Sequence, residues 1–173
     1  MLRGIEPGPV VRSPARLPVC RHWDAALALA EGDTATALAA ALRPLAGALA
    51  WIQNPNFTAG NIGRGFVENY GYADVVSPRG LVASDEIALG VLLLAPGLTY
   101  PPHAHPALEV YCVVGGDAEW RRGDGPWTRR SPGSLIHHAP GEVHATRTGR
   151  QPLLALYLWR GHLDTPAELT GGA

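Results

Sequence analysis

Apolar residues are spaced differently in the two parts of the chain, and the change falls near residue 54. Before it, Trp23, Ala26, Leu27 and Ala30 recur at helical intervals. Gly32 follows as a stop, with Asp33 or Thr34 placed to cap the next element. From Thr34 onward Leu38, Leu42, Leu45, Leu49 and Ile52 fall at steps of three and four, the stripe of an amphipathic helix whose apolar side packs on a larger body. Pro44 lies inside that stripe and is expected to kink or divide the helix, because its ring removes a backbone donor. The short stripe and its Gly and Pro interruptions mark a packing surface rather than a membrane segment.

Past residue 54, Asn, Pro and Gly recur, and the apolar segments shorten to strand length at 87–95, 109–114, 134–138 and 153–159. Short strands between turn signals predict a sandwich or barrel, and 87–95 is apolar enough to be buried on both faces. No internal repeat is evident. The predicted organisation is mainly β: a mobile N-terminus and helical segment over residues 1–55 packs on a barrel of residues 56–173, together making a single domain.

A length of 173 residues suits one domain with a real core and leaves no room for a second catalytic domain. The 14 basic residues, all arginine, nearly cancel the 15 acidic ones, which argues against an electrostatic grip on nucleic acid or anionic lipid. Cys20 and Cys112 lie far apart and outside any zinc or CxxC spacing, so both read as free thiols. Residues 1–18 are rich in Pro, Gly and Arg without the apolar run of a signal peptide, and nothing later approaches a membrane-spanning length. The expected location is the cytoplasm.

The chemically informative segment runs from Gly97 to Gly116 and contains His103-Ala-His105 and Glu109-Val-Tyr111. If extended geometry holds across it, His103, His105, Glu109, Tyr111 and Val113 share one parity, while Leu108, Val110, Cys112 and Val114 face the other way. Two imidazoles and a carboxylate on one interior face form a partial coordination sphere for Fe(II), Mn(II), Ni(II) or Zn(II). A fourth donor is expected from another strand, and His144 stands behind the turn signal Pro140-Gly141, where a hairpin would bring it back. The competing reading, ordinary surface or hydrogen-bonded histidines, is weakened by the number of metal-ligating residue types meeting one pattern.

The segment fits the first cupin motif at every position: glycine, five residues, His-x-His, three residues, Glu, six residues, glycine. The second cupin motif is met less closely, because Gly133 precedes Pro140 by one residue more than usual, Gly141 follows the proline at once, and Thr148 replaces an Asn. His144 is the counterpart of that motif's metal histidine. Within the cupins, Tyr100-Pro-Pro-His103-Ala-His105-Pro-Ala-Leu-Glu109-Val-Tyr111, followed by Gly116, Trp120 and His138-Ala-Pro140 to His144, resembles the dimethylsulfoniopropionate lyases over roughly residues 80–162. The tyrosines before the first His and after the Glu make the resemblance specific.

That resemblance implies a cupin β-barrel, a double-stranded β-helix, preceded by a small α-helical segment. It implies one divalent metal ion on His103, His105, Glu109 and His144, and cleavage of dimethylsulfoniopropionate by β-elimination to dimethyl sulfide and acrylate. Tyr111 would be the base, its phenolate favoured by the nearby cation, with Tyr100 assisting by hydrogen bonding or by closing the pocket. A small zwitterionic carboxylate with a sulfonium group calls for aromatic faces, and Trp120, Tyr157 and Trp159 are the candidates, although tryptophans such as Trp51, Trp120 and Trp159 also suit plain packing. His137 and His138 read as a strand and a turn residue, and Cys112 as part of the outer layer. A homodimer is expected by the same resemblance. Two other functions fit the residues: a lyase-like cupin acting as oxygenase or isomerase on another small carboxylate, and a non-catalytic metal-dependent binding module.

Overall fold

The computed structural model describes residues 13–171, so the expected mobile N-terminus lies largely outside the described residues. The strands in chain order are β1 (Tyr70–Val76), β2 (Ile87–Leu94), β3 (Thr99–Ala104), β4 (Leu108–Gly115), β5 (Ala118–Arg122), β6 (Thr128–Arg130), β7 (Leu135–His138), β8 (His144–Thr148), β9 (Leu153–Arg160) and β10 (Glu168–Leu169). They form two five-stranded sheets, ordered β1-β2-β9-β4-β7 and β10-β3-β8-β5-β6, and the strand pairings are antiparallel. The chain passes repeatedly from one sheet to the other, which is the mainly β, double-stranded β-helix of a cupin.

The first sheet is covered on its outer face. Helices α1 (Trp23–Leu27) and α2 (Asp33–Leu42) lie there, and Val19, Trp23, Ala26, Leu27, Ala39 and Leu42 bury against Ala73, Val91, Leu93, Val114 and Leu154. Strand β2 is therefore buried on both faces over most of its length, as its unbroken apolar run anticipates. A second core fills the space between the sheets and is unusually aromatic, with Phe57, Phe66, Tyr70, Tyr100, Tyr111, Trp120 and Tyr157 among its members.

The helical stripe ends earlier than its spacing predicts. Helix α2 stops at Leu42, a 3-10 turn covers Arg43–Gly47 with Pro44 in its first positions, and Ile52 is extended. Ile52 pairs with Tyr72 through backbone hydrogen bonds of 2.8 and 3.0 Å. The proline removes the donor that would continue α2, and the unpaired side of β1 captures the chain that follows.

The altered second motif is absorbed locally. Thr148 takes the place of Asn and still ties the turn before β3, donating to the Ala95 carbonyl at 2.7 Å and accepting from the Leu98 amide at 2.8 Å. Gly141, with φ of +74°, sends its amide to the His105 carbonyl at 2.8 Å and so joins the two motif loops.

Gly115 ends β4 where α1 crosses it, and a Cβ there would fall on the Ala26 carbonyl oxygen. Gly115→Ala must push the helix off the sheet, and overpacking of about 1–3 kcal/mol lowers Tm by about 2–12 °C in a domain of this size. Gly149→Ala, which meets nothing within 4 Å, serves as the control and should leave Tm nearly unchanged. Equal shifts in the two variants, measured by thermal denaturation, would contradict this packing.

Candidate metal centre and its cavity

Three of the predicted donors, His105, Glu109 and His144, come together with His103 beside them, although not from one strand face. His103 lies on β3 of the second sheet, His105 in the crossing between the sheets, Glu109 at the start of β4 in the first sheet, and His144 at the start of β8. Extended geometry breaks at 105–107, so the donors converge from opposite walls of the barrel. Parity holds on β4, where Glu109, Tyr111 and Val113 are buried and Leu108, Val110 and Cys112 are only half-buried.

The three histidines are oriented alike. The Nδ1 of His103 is 2.8 Å from the Pro101 carbonyl, that of His105 is 3.0 Å from the Ala107 carbonyl, and that of His144 is 2.8 Å from the Glu142 carbonyl. A carbonyl can only accept, so each Nδ1 carries a proton and Nε2 is the nitrogen left to face the carboxylate or a cation. The ligand atoms of His105, Glu109 and His144 lie within 4.8 Å of one another, and all three residues are buried. His103 stands beside this group, paired in register with His144 at a ring separation of 4.2 Å.

Glu109 is 1% exposed and is held from several sides. His105 Nε2 lies 3.0 Å and His144 Nε2 3.3 Å from Oε2, while the indole N–H of Trp159 donates to Oε1 at 2.6 Å. Burial opposes ionisation, but the contacts with His105 and His144 outweigh it and hold the carboxyl below the usual range. Burial, and then the neighbouring His144, hold the His103 pKa well below the ordinary imidazole value. An anionic carboxylate, imidazoles whose Nδ1 atoms are tied to backbone carbonyls, and a His144 Nε2 that is buried without a well-aligned hydrogen bond together suit a divalent cation.

Beside the cluster is a cavity of about 490 Å³ whose wall includes Glu109, Trp159, Asp74 and Tyr70, Tyr72, Tyr100, Tyr111 and Tyr157. Those are all five tyrosines of the chain. The Tyr111 hydroxyl donates to Glu109, and burial together with the Glu109 charge pushes its pKa well above the ordinary phenol value. Tyr100 stacks on His103 at 3.9 Å and donates to Tyr70. Its inward direction was not available from strand parity: the register of β3 shifts between Tyr100 and His103, where Pro101 and Pro102 sit, so residues three apart share one face.

Among the aromatic candidates, Tyr157 and Trp159 line the cavity, and Trp159 stacks on His105 at 4.1 Å. Trp120 does not line it; its ring is buried behind Tyr111, 6.2 Å away, because β5 places it one layer deeper. His138 also differs from expectation. It is a strand residue of β7 opposite Glu109, fully buried, with its ring stacked on His144 at 3.9 Å and its Nδ1 3.3 Å from Glu142. The signal was its position two residues after Ile136 in an alternating strand. Cys112 lies half-buried on the outer side of β4, as parity indicates.

The family model for dimethylsulfoniopropionate lyase matches residues 6–155. Dimethylsulfoniopropionate lyase DddQ of Ruegeria pomeroyi is 36% identical over 170 residues, covering 96% of this chain and 80% of that relative. The crystal structure of DMSP lyase DddQ from Ruegeria pomeroyi DSS-3 is similar with a TM-score of 0.84 at 31% identity, over 98% of this chain and 84% of that one. A chain from crystal structures of the DMSP lyases RdDddP and RnDddQII gives a TM-score of 0.85 at 27% identity, over 99% of this chain and 86% of that one.

Burial, with the neighbouring His144, lowers the pKa of His138 from 6.5 to about 4. The unfolded chain therefore takes up a proton that the native state refuses, so this residue makes stability fall as pH drops from 6.5 toward 4. Chelator-treated protein should lose Tm steadily on acidification below about pH 6.5, and His138→Gln should lose it less steeply. Identical slopes for the two proteins would rule out a buried neutral His138.

Proposed function

Because the chain belongs to the dimethylsulfoniopropionate lyase family, we propose that it cleaves dimethylsulfoniopropionate by β-elimination in the tyrosine-lined cavity, releasing dimethyl sulfide and acrylate. The observation that carries this reading is the meeting of the His105, Glu109 and His144 cluster with that cavity through Glu109. His103, His105, Glu109 and His144 would hold one divalent ion, and donors of this kind accept Fe(II), Mn(II), Zn(II) or Ni(II). When bound, the ion would supply positive charge beside Glu109, a Lewis acid that would favour a carboxylate ligand and the phenolate of Tyr111.

The rest of the chemistry belongs to the side chains. Tyr111 removes the proton α to the carboxylate; the electron pair forms the new double bond, and the carbon–sulfur bond breaks toward sulfur. Sulfonium is a good leaving group and needs no acid. Trp159 fixes Glu109 through its indole N–H, and Tyr100 holds His103 by stacking while its hydroxyl is engaged by Tyr70. The aromatic wall excludes water and offers π faces to the sulfonium.

Two wider readings accompany this one. A homodimer is supported by β7, the edge strand of the first sheet, where Leu135 is 69% exposed. A cytoplasmic location is supported by two cysteines that remain free thiols. Among the described residues no helix is long and apolar enough to cross a membrane.

The direct test is headspace detection of dimethyl sulfide from protein loaded with Fe(II), Mn(II), Zn(II) or Ni(II). Tyr111→Phe should retain the metal and lose about 10²–10⁴ in kcat, the usual contribution of a general base. No dimethyl sulfide from any loaded form, or a Tyr111→Phe variant within a factor of about ten of wild type, would defeat the proposal. Trp159→Phe removes the donor to Glu109 and should weaken metal affinity by about 10–100-fold, read by competition with a chelating dye; unchanged affinity would deny the indole its holding role.

A further inference from the structure

The cavity carries a second carboxylate, on the wall away from the metal cluster. Asp74 of β1 accepts a hydrogen bond from the Tyr157 hydroxyl and another from Ser77 Oγ at 2.9 Å. Among the described residues, no arginine forms an ion pair with it. The charged groups on the cavity wall are Asp74, Glu109, Asp164 and Arg79, a balance of three carboxylates against one guanidinium.

The placement of Asp74 is built into the sheet. Asp74, Gly90, Tyr157 and Tyr111 form one register row across β1, β2, β9 and β4. A Cβ on Gly90 would fall on the Tyr157 hydroxyl and ring, so the absence of a side chain there lets Tyr157 lie across β2 and reach a carboxylate two strands away. Burial and the Asp74 charge both push the Tyr157 pKa well up, which keeps it a hydrogen-bond donor. Tyr72 stands edge-on to Tyr157 at 6.1 Å, so a cation beside Asp74 meets aromatic rings as well as a carboxylate.

We infer that Asp74, oriented by Tyr157 and Ser77, is a specificity-determining residue that selects ligands carrying a fixed positive charge at the end remote from their carboxylate. This rests on the lyase reading only for the placement of the substrate carboxylate at the metal cluster. Asp74 is half-buried in a cavity partly open to solvent, so its charge acts over a few ångströms and need not touch the cation. Shape alone would admit neutral carboxylates of the same size, whereas the Asp74 charge discriminates against them.

The test compares two unreactive probes of equal shape by calorimetry on metal-loaded protein. One is β-alanine betaine, with trimethylammonium in place of dimethylsulfonium, and the other its neutral isostere, with a quaternary carbon in place of nitrogen. Wild type should bind the cation about tenfold or more tightly than the isostere, and Asp74→Asn should bring the ratio to within about twofold while leaving the isostere's Kd unchanged. Asp74→Thr provides the same comparison if the Asn variant does not fold. Tyr157→Phe, which keeps the carboxylate, should retain the preference. Equal affinities in wild type, an undiminished ratio without the carboxylate, or equal weakening of both probes would overturn the inference. Dimethyl sulfide release by wild type is scored separately, so loss of the lyase reading and loss of cation selection give different results.

Discussion

The carboxylate of Glu109 is buried between two β-sheets, and its charge has to be matched from both. His105 approaches from the crossing between the sheets, His144 from the second sheet, and Trp159 from the neighbouring strand of its own sheet. An unpaired charge in that place would cost several kcal/mol, so the residues around Glu109 determine one another's positions. The Nδ1 contacts of the three histidines with backbone carbonyls extend the constraint to the loops, and the Gly141 amide on the His105 carbonyl ties those loops together. The barrel brings the Glu109 carboxylate and the His105 and His144 imidazoles together, with His103 beside them.

The cavity follows from the same sheet geometry. Inward residues of adjacent strands fall into rows, and the row through Glu109 carries Trp159 and His138, while the next carries Tyr111, Tyr157, Gly90 and Asp74. One row presents Glu109, the carboxylate of the cluster, and the other the proposed base, an aromatic wall and a second carboxylate. Gly90 is the residue that makes the second row possible, since any side chain there would displace the Tyr157 ring. Helices α1 and α2 contribute nothing to this wall; they cover the opposite face of the sheet and make its central strands apolar throughout.

The same physics explains what could be read from the chain. Strands β2 and β9 are legible because burial on both faces leaves a continuous apolar run, and β4 because Glu109, Tyr111 and Val113 alternate with the outer residues. The donor set is legible because its spacing is short and its residue types are distinctive. Tyr100 could not be oriented by alternation, since an irregularity at Pro101 and Pro102 reverses its direction. Asp74, Tyr70 and Tyr72 were invisible as site residues, because β1 joins the cavity through pairing with β2, which no local pattern reveals. Ile52 kept the helical spacing but lost the helix to Pro44 and to the open side of β1. His138 sits in an alternating strand, but its stacking on His144 depends on two strands from different sheets.

Anomalous diffraction from crystals of the metal-loaded protein tests the central claim most directly. The account expects a single strong peak at about 2.0–2.3 Å from the Nε2 atoms of His105 and His144 and from Glu109, with His103 turned toward the same point. A peak elsewhere in the chain, or none at saturating metal, would contradict it.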